Sequence, residues 1–167
     1  MLHRLTRATC VTLTAVAATT VLVAAPSGAT AVGVEGCTPG YWKNHTESWL
    51  ETATRPIPTT TLVTAVYAGA STRSNLVGVT LLQALQGGGG SGTAGAAVVL
   101  ARAASAAYLT AAHEGLGYPW RRNAVGVDGR PALVPTVNAA FRSGDRATML
   151  ALASRLDADN NLGCPLS

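Results

Sequence analysis

The stretch TAGAAVVLARAASAAYLTAAH, residues 93–113, decides how this chain is read. Ala94, Ala97, Ala101, Ala104, Tyr108 and Ala111 recur in it at three- and four-residue steps. That spacing predicts a helix. Small residues on one stripe let another helix approach closely, so this is the expected central helix.

Working outward, turn signals separate further helical segments. Upstream, Gly87 to Gly92 reads as a flexible connector. Asn75 to Gln86 places Leu76, Val79, Leu82 and Leu85 at helical spacing, whereas Thr61 to Ala68 fits a short helix or a strand. The first helix is expected at Thr38-Pro39, where Thr38 can cap and Pro39 suits the first position; Arg55-Pro56-Ile57-Pro58 ends that region. Downstream, Gly115 to Pro131 is rich in glycine and reads as a long loop. A helix resumes near Leu133 and stops at Ser143-Gly144. The last begins at the cap Asp145, buries Met149, Leu150, Leu152, Ala153 and Leu156, and ends at Asn160, Asn161 and Gly163. The expected architecture is all-α: a compact bundle of four to five helices.

The beginning of the chain has a different character. His3, Arg4 and Arg7 precede an apolar run from Ala8 to Ala25, then Pro26-Ser27-Gly28 and the triplet Ala29-Thr30-Ala31. A basic start, an apolar middle, a breaker and an A-x-A site make up a secretory signal peptide. Residues 1–31 are therefore expected to be removed, leaving one secreted, extracellular domain over 32–167. The five threonines of the apolar run argue against an uncleaved anchor, and no second apolar stretch is expected to cross a bilayer.

Cleavage removes Cys10 and leaves Cys37 and Cys164. In an oxidising compartment two thiols most simply pair, which would clasp the two ends of the domain; intermolecular pairing and a metal site are the alternatives. Ten Lys/Arg against eight Asp/Glu give the mature chain a net charge near +2. That is too mild and too dispersed to imply nucleic acid, or an anionic membrane, as partner.

Several motifs suggest chemistry and then fail on context. Gly87 to Gly95 satisfies G-x-G-x-x-G twice, but a helix precedes it and no acid follows until Glu114. His113-Glu114 opens like H-E-x-x-H, yet Gly117 occupies the second histidine's place; His45-x-Glu47 opens like a zinc deaminase without the required cysteines. His45 and His113 could share a metal with a carboxylate only if the fold joined them. Cys164-Pro165-Leu166-Ser167 fits a prenylation box that export contradicts. Asn44-His45-Thr46 is a glycosylation sequon, meaningful only in a glycosylating cell. Asp157, Asp159, Asn160 and Asn161 lack calcium-loop spacing and read better as helix-end caps. No catalytic residue, metal or cofactor is assigned.

The densest signal is Gly36-Cys37-Thr38-Pro39-Gly40-Tyr41-Trp42-Lys43-Asn44-His45, followed by Trp49. On one continuous helix Trp42, His45 and Trp49 would share a face. The rings either anchor this segment in the core or form an exposed platform for a glycan or an apolar partner, with Lys43 and Asn44 as polar contacts. Such stripes are usually core.

The same residues carry a resemblance. CTPGYWKNH, residues 37–45, resembles the signature of a family of uncharacterised bacterial secreted domains in which Cys-x-Pro-Gly-Tyr-Trp-Lys-Asn-His precedes helical sequence. The end is similar too: Ser143-Gly144-Asp145-Arg146, Met149-Leu150, Leu156-Asp157, and Asn160-Asn161-Leu162-Gly163-Cys164-Pro165-Leu166. A looser match lies around Ala104 to Pro119, while Trp120 to Pro131 looks particular to this chain. The resemblance implies export and the clasp, and it carries no activity.

The sequence thus points to a secreted non-enzymatic module, structural or binding, whose partner is an unknown extracellular protein or glycan. Nucleic acid is not expected, nor a membrane once the leader is gone. One rival is a small hydrolase using His45 or His113 as base; the other is a metal-binding protein. Protein recovered from the medium should begin within two residues of Val32. N-terminal sequencing that finds Met1 in a membrane fraction would refute that.

Overall fold

A computed structural model describes residues 33–52, 55–113 and 115–166, so the expected leader lies outside the described residues. Six α-helices occur among them: α1 Pro39–Asn44, α2 Val63–Val66, α3 Leu81–Gln86, α4 Gly92–Ala112, α5 Leu133–Ser143 and α6 Arg146–Asn160. The chain is mostly helical.

Local chemistry explains where several of these begin. The Thr38 hydroxyl accepts the Tyr41 N–H at 3.0 Å with Pro39 at the first helical position, as the sequence predicts. Thr80 and Gln83 form a reciprocal capping box at α3. Asp145 accepts the Thr148 N–H at 2.7 Å and starts α6. That bond, first from the Thr148 side chain and then from its backbone, holds the Asp145 carboxyl below its ordinary value.

The all-α expectation of four to five helices needs correction. The first helix stops at Asn44, and residues Leu50–Thr52 pair antiparallel with Arg55–Pro56 as a small hairpin, β1 and β2. Proline at position 56 cannot continue a helix, but it tolerates the edge of a two-stranded ribbon. The segment 75–86 is also not one helix. Gly78 adopts φ +78°, which favours glycine, and the backbone bridge Leu62↔Thr80 pulls the following residues away. Only Leu81–Gln86 remains α-helical.

Helix α4 is the central element, as its sequence predicts. It packs most extensively against α6 and then α3. The apolar stripe is not one-sided, however: Ala96, Leu100, Ala103 and Ala107 are buried, while Ala94 is exposed. By length and composition this helix could cross a membrane, contrary to the expectation that no second stretch could, yet 67% of its apolar window is buried against the rest of the protein. Packing from several sides accounts for its apolar character.

Alanines leave the α4 backbone within reach of its neighbours. The Tyr67 hydroxyl donates to the Ala104 carbonyl at 2.8 Å, and the Asn160 Nδ2 to that of Ala103 at 3.0 Å. Burial pushes the Tyr67 phenol well above its ordinary pKa.

From residue 115 to 132 the chain is irregular apart from the 3₁₀ turn Val127–Gly129, and it is firmly tied down. Tyr118 and Trp120 are fully buried. The Tyr118 hydroxyl donates to Asn160 Oδ1 and the Trp120 indole to Asp159 Oδ2, both at 2.7 Å. Arg130 donates to both oxygens of the same carboxylate, from Nη2 to Oδ1 at 2.9 Å and from Nε to Oδ2 at 3.0 Å. Those hydrogen bonds raise the Arg130 pKa. Asp159 and Asn160 are thus core partners of the loop rather than helix-end caps. Asn161 does cap α6, its Nδ2 donating to the Asp157 carbonyl at 2.7 Å.

The predicted disulfide is present. Cys37 and Cys164 are joined with Cα atoms 4.5 Å apart, linking the ends of the domain. Beside it the Gly36 N–H donates to the Gly163 carbonyl at 2.9 Å. A Cβ at Gly36 would collide with the Asp159 carbonyl, so only glycine lets the segment lie against the end of α6.

For a sequence separation of 127 residues, the chain-entropy model gives the bridge about 5 kcal/mol of stability. The double variant Cys37→Ser/Cys164→Ser should therefore denature at markedly lower urea concentration than the wild type. Coincident denaturation curves would show that the clasp adds nothing.

Candidate functional site

The segment from Cys37 to Trp49 holds every residue singled out as a candidate contact. Helix α1 supplies Tyr41, Trp42, Lys43 and Asn44; a 3₁₀ turn, Thr46–Ser48, carries the chain on to Trp49. Because the helix ends at Asn44, Trp42, His45 and Trp49 do not form a helical stripe. They divide instead.

Trp42 and Trp49 face the core, at 0% and 1% exposure. The Trp42 indole N–H donates to the Thr110 hydroxyl of α4 at 2.9 Å, and that hydroxyl donates to the Ala106 carbonyl at 2.8 Å. The Trp49 indole donates to the Trp42 carbonyl at 2.9 Å. Both indoles therefore bury their rings with their one polar atom satisfied, as buried tryptophans require. An open aromatic platform would need these faces in water.

Lys43, Asn44 and His45 are exposed, and Tyr41 is half-buried. Tyr41 stacks on His45 with ring centroids 4.4 Å apart, and its hydroxyl donates to the Leu166 carbonyl at 3.1 Å, just beyond the disulfide. His45 Nδ1 lies 3.1 Å from Glu47 Oε1. The Glu47 carboxyl is held below its ordinary value, first by its own backbone N–H and then by His45.

His113 sits elsewhere in the cluster. Its Nε2 is 2.8 Å from the Ser48 carbonyl, and its ring lies 5.4 Å from that of Trp42. Tyr41 in turn meets Trp42 edge-on at 5.1 Å. The four rings run His45, Tyr41, Trp42, His113, with the histidines at the two ends. Among the described residues no group of three or more His, Cys, Asp or Glu is placed to hold a metal ion.

Two features escape the sequence reading. One is the Trp120–Asp159–Arg130 network, in which Asp159 lies 39 residues from Trp120 and 29 from Arg130. The other is a cleft of about 400 Å³ lined by residues of the 75–79 turn, α3 and α4. The run of valine and glycine at 77–79 is the one local hint of it.

No family model, curated protein or solved structure matches this chain.

Trp42→Ala should lower stability by about 3–5 kcal/mol, as large-to-small core changes do. Lys43→Ala, on the solvent side, should melt with the wild type. A Trp42→Ala melting curve that overlays the wild type would return the segment to a surface role.

Proposed function

We propose that this protein is a secreted, non-enzymatic module of bacterial origin, belonging to the family its CTPGYWKNH signature resembles. In this reading it is a compact bundle whose aromatic segment and disulfide rigidify the domain, and any extracellular protein or glycan partner is met by other surfaces. The observation that carries it is how the Cys37–Trp49 segment spends its functional groups. Both indole N–H groups, the Tyr41 hydroxyl and His113 Nε2 are engaged with Thr110, Trp42, Leu166 and Ser48 of the same chain. Export is supported by the signal-peptide pattern of residues 1–31 and by a disulfide of the kind that persists in oxidising compartments.

The hydrolase reading draws on one contact, the His45–Glu47 pair, in which a carboxylate could orient a basic imidazole. It weighs less, because the pair is exposed, with side chains 46% and 71% accessible, and neither residue lines the cleft. Active sites are usually concave and partly dry.

The two readings separate by rate. The wild-type protein should hydrolyse p-nitrophenyl esters no faster than His45→Ala or His113→Ala. A wild-type rate about a hundredfold above either variant, the scale of general-base catalysis, would replace the module with an enzyme.

A further inference from the structure

The cleft on α4 has a chemistry of its own. Its walls are Leu76, Val79, Ala84, Val98 and Ala101, and Val77 stands at its mouth with 64% of its surface exposed. At about 400 Å³ it falls within the roughly 300–1,000 Å³ typical of small-molecule sites. No charged side chain lines it, and the sequence from 52 to 113 holds no Asp or Glu at all. An ionic ligand would lose its hydration there without gaining a counter-charge.

Two carboxamides in the lining are set in fixed roles by bonds elsewhere. Gln83 Oε1 accepts the Thr80 N–H at 2.9 Å as part of the capping box, which leaves its Nε2 to donate. Asn75 Nδ2 donates to the Ala94 carbonyl at 3.1 Å, which leaves its Oδ1 to accept. The lining therefore combines apolar walls with one carboxamide that keeps its N–H groups to donate and one that keeps its oxygen to accept. We propose that this cleft binds an uncharged, mostly apolar small molecule bearing an amide or a similar donor–acceptor group. Neither export nor the aromatic segment enters this site, so it stands or falls apart from the reading above.

The test uses the intact folded protein and N-phenyl-1-naphthylamine, an uncharged fluorescent probe. Its fluorescence should rise saturably at one site. Octanamide should displace it at about tenfold lower concentration than octanoate, since the carboxylate would be buried unpaired. Val77→Asp, at an exposed position, and Val98→Asn should each weaken binding by about tenfold while melting as cooperatively as the wild type. Amide shifts on adding octanamide to the wild-type protein should concentrate at Gly78, Gly87 and Val98, which needs no variant to fold. Absence of saturable binding, equal competition by octanoate, binding unchanged in Val77→Asp, or shifts centred elsewhere would each overturn the proposal.

Discussion

A helix made largely of alanine and buried on several sides offers its neighbours few side-chain atoms, and the rest of this fold is arranged around that constraint. Close approach brings larger residues against the α4 backbone itself. Tyr67 and Asn160 bond directly to its carbonyls, and Trp42 reaches it through the Thr110 hydroxyl. Each of these donors comes from a different part of the chain, so α4 fixes the N-terminal segment, the α2 region and the end of α6 relative to one another. Buried donors left without these acceptors would each cost about 1–3 kcal/mol, which makes the arrangement specific as well as stable.

The same constraint explains what happens at the aromatic segment. Trp42 lies five residues beyond Cys37, whose backbone is pinned by the disulfide and by the Gly36–Gly163 bridge. With the chain held there, the indole has only to turn inward to meet Thr110. Trp49 then closes over it through the Trp42 carbonyl. The polar residues of the segment are left on the outside, where Tyr41 and His45 stack in partial contact with solvent.

What could be read from sequence was what local chemistry decides. Thr38-Pro39 and Asp145 mark helix starts because a capping side chain acts within three residues, and the starts of α1 and α6 were legible for that reason. The 75–86 segment misled, because its apolar spacing is helical while its backbone is governed by Gly78 and by pairing with Leu62, well outside any local window. Asp159 and Asn160 misled in a similar way. Polar residues at a helix end look like caps, and their partners Trp120, Arg130 and Tyr118 belong to a loop that periodicity cannot place. Of the candidate site, the core placement of the tryptophans was favoured by their helical spacing, although the helix that spacing assumed ends at Asn44. Their acceptors, and the cleft beyond, depend on contacts across the fold.

The clasp has a mechanical meaning as well. Cys37 and Cys164 enclose all of the described helices, so tension entering the chain on one side of the bridge leaves it on the other through a single covalent bond. The helices between them lie off the load path. A domain built this way transmits force without being stretched by it, whatever is tethered to either side.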